Sequence, residues 1–305
     1  MKPKPLDKKT GCGVCGATTA RELYTTIDRL GNSGAVFTIA ECGGCGVLRT
    51  LPEMTETELA AFYPDDYWGA SAAEPTESWI KSSQSEKTRF LSKCAPDGGR
   101  ILDVGCGSGF FLRALDGTRW NRFGVEIGKA GGQQAARALG SDHVFTGTLI
   151  EAAFPDSSFD VVTLWSALEH TNEPRANLIE ARRILKPGGT LLVQLPNATS
   201  YQARWFKGSW FALDAPRHRY HFRAGTLHRL LSEARFATYL CSFSSRAHNS
   251  HALRQSLKTR LRGPGSSSFS RVLFYLSIPL IKPFDLAMTV LDEGATMTVA
   301  ARACD

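Results

Sequence analysis

The stretch "ILDVGCGSGF" (Ile101–Phe110) decides how this chain folds. An apolar run ends in the carboxylate of Asp103, glycines alternate at Gly105, Gly107 and Gly109, and "FLRAL" follows. That order predicts a strand, a tight turn and the start of a helix. Such a turn sets backbone N–H groups against a bound molecule.

The glycines alone do not name the ligand, because a dinucleotide fold uses the same elements. In a dinucleotide site the pyrophosphate lies at the helix N-terminus, where a carboxylate two residues before the first glycine adds like-charge repulsion. The spacing is also GxGxG, not GxGxxG. A ligand carrying an ammonium or sulfonium turns the same carboxylate into an attraction. The next predicted strand, "NRFGVEI", ends in Glu126, 23 residues after Asp103, where an acid can accept both hydroxyls of a ribose. A ribose-bearing cation with an amino-acid tail fits both acids, and S-adenosylmethionine is such a molecule.

Four successive segments, "ILDVGCGSG", "FGVEI", "FPDSSFDVVTLWSALEH" and "EARRILKPGGTLLVQLPN", resemble in order the motifs of class I S-adenosylmethionine-dependent methyltransferases, over about Arg100 to Asn197. The resemblance implies an α/β fold, a Rossmann-like seven-stranded, mostly parallel sheet with helices on both faces and the last strand antiparallel. It implies that Asp103, Gly105, Gly107 and Gly109 hold the methionine part of the cofactor and that Glu126 takes the ribose. By the same resemblance Ile127 packs on the adenine, and Trp165 and Ser166 line the cofactor near its methyl. One position departs from the pattern. Where the family usually places an acid for the adenine amino group, "FTGTLIEAAF" offers Thr148 and Leu149, and Thr148 can accept only a weaker hydrogen bond.

Cys12-x-x-Cys15 and Cys42-x-x-Cys45 are separated by 26 residues. Two such pairs can place four thiolates around one zinc, with no ligand position left open, so the expected metal is structural. A redox CxxC would open a helix in a βαβ unit, and neither pair does. Gly16 and Gly46, which follow each pair, are expected where a side chain would clash as the turn wraps back on the metal. Residues 1–52 therefore read as a zinc ribbon able to unfold without the core. Residues 53–96 read as a linker with an N-terminal helix or lid, "YPDDYWGASAAEPTES" being the flexible part. Residues 97–305 read as the methyltransferase domain, with a substrate-covering insert at about 197–223 and a helical insert at about 246–292.

With 305 residues, 43% apolar and 21% charged, the chain can bury a full core. No secretory leader is visible, and a cytoplasmic location is expected. The net charge of +7 is uneven: Ser200 to Arg262 carries 12 Lys and Arg against Asp214 and Glu233. This concentration suggests an anionic substrate, an anionic membrane or nucleic acid. Leu253, Leu257 and Leu261 predict a basic amphipathic helix that packs on the sheet, with docking on an anionic lipid surface as the alternative. "VLFYLSIPLIKPFDLAMTVL" (Val272–Leu291) is interrupted by Pro279, Lys282, Pro283 and Asp285. It reads as a buried helix pair, with interfacial membrane contact as the alternative. "FATYLCSF" and "GATMTVAARA" read as strands, the second being the antiparallel one, and Leu227, Leu230 and Leu231 predict a helix opening at Thr226.

The aromatic and arginine-rich segment "WFALDAPRHRYHF" resembles a stretch after the fifth strand in bacterial members that modify small molecules and glycans, and would cover the reactive end of the cofactor. Methyl transfer to a hydroxyl benefits from a base titrating near neutrality. His218, His221 and Asp214 are the candidates, with His170 behind them and His228 lower. The expected activity is methyl transfer to a small molecule, sugar or lipid-linked glycan, at oxygen. An RNA methyltransferase acting on ribose or a ring carbon is the alternative. It is weakened by "LWSALEH" standing where base-amino methylating members carry Asn-Pro-Pro-aromatic, and by the stretch from Thr10 to Leu51 holding only Arg21, Arg29 and Arg49 as basic residues. A non-catalytic cofactor-binding scaffold is the third reading.

Overall fold

The computed structural model describes residues 4–5, 11–30, 33–63, 74–245, 248–262 and 268–304. The chain opens with four antiparallel strands, β1 (Lys4–Pro5), β2 (Thr19–Ile27), β3 (Val36–Cys42) and β4 (Leu48–Leu51). Three helices follow, α1 (Glu56–Ala60), α2 (Glu77–Ser83) and α3 (Ser85–Cys94). Thr55 and Glu58 cap the first reciprocally, and the Thr76 hydroxyl caps the second. The flexible stretch expected from Tyr63 onward falls, for residues 64–73, outside the described residues.

The glycine-turn stretch then behaves as its pattern demands. β5 (Gly99–Val104) runs into α4 (Phe110–Ala114), β6 (Trp120–Glu126) into α5 (Lys129–Leu139), and β7 (Val144–Thr146) closes that half. β8 (Phe159–Trp165), α6 (Pro174–Ile184) and β9 (Leu185–Pro196) form the other half. The remaining elements are α7 (Tyr201–Phe206), β10 (Tyr220–His221), α8 (Ala224–Glu233), β11 (Phe236–Ser242), α9 (Asn249–Arg262), α10 (Ser268–Val290) and β12 (Thr296–Ala303). Helix α8 starts two residues ahead of Thr226, whose hydroxyl accepts from the Arg223 N–H and so belongs to the first turn.

The main sheet has seven strands in the order β11-β12-β9-β8-β5-β6-β7, and β12 is antiparallel to both its neighbours. The other pairings are parallel, and the inner strands are apolar on both faces because helices cover both. From β5 the chain moves outward through β6 and β7, then crosses to β8 on the other side. The ends of β5 and β8 therefore flank a topological switch point, where such sheets open a crevice.

The ribbon does not stop at its own edge. β10, from the expected substrate cover, adds to β4 with Tyr220 opposite Arg49 and His221 opposite Leu48. Cys12, Val14, Cys42, Cys45 and Val47 join the same apolar cluster as Val104, Tyr220, Phe222 and Leu227. Gly13 donates its N–H to the Tyr220 hydroxyl at 3.0 Å, and a Cβ there would meet the Asn172 carbonyl oxygen at 2.3 Å. Only glycine lets the knuckle approach so closely.

Two expectations are corrected. Val272–Leu291 is not a buried pair: the chain runs through Pro279 and Pro283 as one helix, α10, and its large apolar side chains are mostly exposed. Both prolines lie on the outer face, where the carbonyls left without N–H partners are not buried. The arginines between positions 204 and 229 do not form an open basic face either. Arg217 pairs with Asp28 and Asp214, Arg219 with Glu56, Arg223 with Glu41, and Arg204 with Glu293. The exposed cations of the segment concentrate instead on α9, at Arg254, Lys258 and Arg260. Arg246 and the "GPG" stop after α9 lie outside the described residues.

Candidate active site

Asp103, Thr163 and Glu126 sit at the C-terminal ends of three adjacent parallel strands. Asp103 is buried, and its Oδ1 accepts from the Thr163 hydroxyl at 2.7 Å. Burial pushes its carboxyl up to about 7, against the pull of Thr163 and of the Lys87 ammonium. Glu126 is buried as well. Its two oxygens accept from the Gly107 and Gly128 N–H groups, each at 2.7 Å, so one side chain ties the glycine turn to the next loop. Burial still raises its pKa against those donors.

Gly105, Gly107 and Gly109 all have positive φ, at 73°, 54° and 77°. A Cβ on Gly105 would strike Ala167, and one on Gly109 would press on Ala135 of α5. Gly107 has open space where its side chain would be, which leaves a cradle over the ends of β5 and β6. Ile127 stands half exposed beside this cradle. Thr148 is engaged locally: its hydroxyl donates to Glu151 at 2.8 Å and accepts from the Glu151 N–H. Leu149 is buried in the main core.

On the far side of the cradle Trp165 ends β8, edge-on to Phe111 at 5.3 Å between ring centroids, with the Lys87 ammonium 5.6 Å over its ring. Ser166 is exposed and left-handed, at φ 54°. Trp165 Nε1 and both oxygens of the buried Glu169 have no hydrogen-bond partner among the described residues. Burial lifts the Glu169 carboxyl to about 8 and lowers the Lys87 pKa. Among the described residues Lys87 is the cation that acts on the buried Asp103 and Glu169, with Glu126 buried nearby, and orphaned polar atoms of this kind call for a ligand. The set fits a ligand with a cationic, hydroxylated frame such as S-adenosylmethionine.

The histidine cluster adjoins Glu169. His218 and His170 meet edge-to-face at 4.6 Å, and the Tyr63 hydroxyl lies 3.4 Å from His170 Nδ1. His218 donates from Nδ1 to the Ala212 carbonyl at 2.9 Å, which leaves Nε2 as the basic nitrogen, 4.0 Å from Asp214. Burial lowers the His218 pKa, although Asp214 opposes this. Burial also works to raise Asp214, and His218 with the Arg217 guanidinium outweighs it, leaving the carboxylate below its usual range. His221 stands behind this group, fully buried, with Nε2 3.0 Å from the Thr50 hydroxyl and its pKa lowered to about 3. It joins β10 to the ribbon and stays neutral. His170 is likewise held down to about 3 by burial. His228 lies on α8, apart from this cluster.

The four ribbon thiols come together: Cys12 Sγ lies 3.8 Å from Cys45 Sγ, Cys15 Sγ lies 3.6 Å from Cys42 Sγ, and all four fall within 4.8 Å of one another. A tetrahedron with Zn–S bonds of about 2.3 Å has edges of about 3.8 Å, so this donor set could hold a structural zinc. Gly16 and Gly46 have open space around them, contrary to the expected clash. Their φ values of 74° and 73° are what require glycine.

A family model described as "Methyltransferase domain" matches residues 78–239, more than half of the chain, from α2 through most of β11. The chain belongs to the methyltransferase domain family. The chain is 27% identical over 161 residues to a "Probable S-adenosylmethionine-dependent methyltransferase" of Mycolicibacterium smegmatis, across 52% of this chain and 59% of that protein. It is 31% identical over 139 residues to a Ubiquinone biosynthesis O-methyltransferase of Maricaulis maris, across 41% of this chain and 53% of the relative. The match spans little more than half the length of either relative. An S-adenosylmethionine dependent methyltransferase from Mesorhizobium loti superposes with a TM-score of 0.50 at 18% identity, over 73% of this chain and 99% of that one, which shows the shared fold. The chain carries a methyltransferase domain of Rossmann-like architecture.

Sequence reasoning missed Glu169 and Lys87. Glu169 could have been found, as an acid four residues beyond the end of β8 and next to His170. Lys87 sits in a polar helix that gives it no distinguishing signal.

Proposed function

We propose that the methyltransferase acts on a hydroxyl of a small or lipid-linked acceptor, with His218 as the general base. The placement of His218 carries this reading: its Nδ1–H is fixed by a carbonyl, and its free Nε2 faces Asp214 and the orphaned Glu169. The relatives named for ubiquinone biosynthesis O-methylation support oxygen as the acceptor atom. Asp103, the glycine turn, Glu126 and Ile127 would hold the cofactor, with Trp165 flanking its reactive end. Glu151, which accepts from the Thr148 hydroxyl, would offer its carboxylate to the adenine amino group, and the buried Leu149 would not. Bound S-adenosylmethionine supplies a methyl group already activated by its sulfonium. His218 takes the acceptor's hydroxyl proton at Nε2, and Asp214 steadies the imidazolium. Glu169, kept protonated by burial, can donate a hydrogen bond to the acceptor oxygen. An RNA acceptor gains nothing from arginines already paired within the fold.

His218→Asn is expected to lower kcat by roughly a hundred- to ten-thousand-fold and to leave cofactor affinity unchanged in calorimetry. In the parent enzyme the acid limb of the pH profile should fall below the ordinary imidazole value, since burial depresses this base and it must be neutral to work. An unchanged kcat in His218→Asn would remove it from the role. The acceptor class is tested by supplying labelled S-adenosylmethionine to a cell extract split into metabolite, lipid and glycan, RNA and protein fractions. Label in RNA would overturn the reading.

Cofactor affinity should also depend on pH. A cationic ligand needs Asp103 ionised, and without that ligand burial holds this group near 7. Affinity is therefore expected to weaken as pH falls through about 7, by up to about tenfold per unit, with proton release on binding seen as a buffer-dependent enthalpy. Asp103→Asn should abolish that dependence, and a flat profile in the parent would contradict the assignment.

A further inference from the structure

The outer face of α10 stands apart among the described residues as a continuous apolar surface. Val272, Leu273, Tyr275, Leu276, Pro279, Leu280, Pro283, Leu286 and Val290 are exposed, and at 100° per residue they fall on one continuous half of the helix. Leu276 and Leu280 are each 66% exposed and Val290 is 75% exposed. The opposite half is anchored: Phe274 and Ile281 are buried, and the buried Asp285 accepts from the Tyr201 hydroxyl at 3.0 Å and the Ser250 hydroxyl at 2.9 Å. This is the one helix among the described residues long and apolar enough to cross a bilayer, yet Asp285 on its inner half is bonded to α7 and α9. It therefore lies along the domain as a fixed ridge roughly 28 Å long.

Charge identifies what covers the ridge. From Asn249 to Phe284 the sequence holds Arg254, Lys258, Arg260, Arg262, Arg271 and Lys282 and not one Asp or Glu. Arg254, Lys258 and Arg260 are exposed on α9 beside the ridge, and Lys282 borders its apolar face, where its long stem can reach a headgroup. Trp205 of α7, 56% exposed, stacks on Phe284 of α10 at 5.7 Å between centroids, in the amphipathic setting tryptophan takes at a lipid–water boundary. A symmetric pairing that brought the α9 cations of two copies together would be opposed by like-charge repulsion. We propose that α10, with Trp205 and the cations of α9, is a monotopic membrane-docking face that seats the enzyme on anionic phospholipid bilayers. The apolar half enters the headgroup and upper acyl region to about 5–10 Å, and the basic residues meet lipid phosphates.

The proposal stands apart from the assignment of the base and the acceptor, and its test needs no turnover. Purified full-length protein is sedimented with vesicles of phosphatidylcholine alone and with vesicles in which part of the lipid is replaced by phosphatidylglycerol. The protein should partition onto the anionic vesicles at least about tenfold more strongly than onto the neutral ones, and raising the salt from about 0.1 M to 1 M should release most of it. Leu276→Glu with Leu280→Glu, both at exposed positions, should abolish binding while circular dichroism and cofactor affinity stay at parent values. Lys258→Glu should weaken binding and reduce its salt dependence. Failure to bind anionic vesicles, equal binding to both compositions, or full binding by the double variant would overturn the proposal. So would a concentration-dependent dimer of the parent that Leu276→Glu dissociates, since a second copy would then cover the ridge.

Discussion

Cys42→Ser is expected to destabilise the whole catalytic chain in one transition, with loss of the bound metal. A structural zinc contributes on the order of 10–16 kcal/mol to the folding of a small four-ligand domain, and one missing thiolate removes a large part of that. A ribbon that were merely appended would melt alone. Here Cys42 and Cys45 lie in the same core as Tyr220, Phe222 and Leu227, and β4 gives β10 its hydrogen-bond partner. Releasing the thiols therefore frees the segment that carries Arg217 and His218. Metal content, thermal unfolding and cofactor affinity would be measured together. Retention of the parent's unfolding midpoint by the catalytic sheet, with cofactor affinity intact, would show the ribbon to be autonomous.

Arg217→Ala should cost about 3–5 kcal/mol, the range for removing one partner of a buried ion pair. Arg217 and Asp28 are wholly buried and joined at 3.0 Å, and Asp214 meets the same guanidinium at 2.7 Å. Without the arginine the Asp28 and Asp214 carboxylates lose the cation they share, and the Phe62 carbonyl loses the donor 2.6 Å away. The loss should show in denaturant unfolding, and Asp28→Asn placed on the same background should restore part of it. If Arg217→Ala and the double variant unfold alike, the pair is not what holds the two regions together. Activity should fall further than stability, because Asp214 is released from the position it holds beside His218.

The glycine turn and both cysteine pairs could be read from the sequence because each is set by local pattern, and the seven-stranded sheet followed from the resemblance of its motifs. Asp103 and Glu126 end apolar runs, and three alternating glycines at positive φ leave one conformation. The docking of the ribbon could not be read this way. Nothing near Arg49 shows that its strand partner is Tyr220, since two-residue β10 has no periodicity of its own. The basic segment misled for a related reason. Composition gives the charge of Arg217, Arg219 and Arg223, but their partners Asp28, Glu56 and Glu41 lie far away in the chain. Prolines 279 and 283 suggested a break, whereas a helix can carry them on a face whose carbonyls need no internal donor. Glu169 was within reach, as an acid in the turn just beyond β8 and beside His170.

The sheet shared between β4 and β10 also sets an order of events at the ribosome. Thr50 and His221 lie 171 positions apart, so the first-made part of the chain waits for its neighbour. At about 5–20 residues per second that wait is on the order of ten to thirty seconds, during which the cysteine pairs can gather metal from local contacts alone. The edge of β4 stays uncovered throughout, a strand border able to pair with other nascent chains. Early metal capture and late edge closure make this a protein whose yield in cells should depend on zinc supply and translation speed more than the stability of its finished form would suggest.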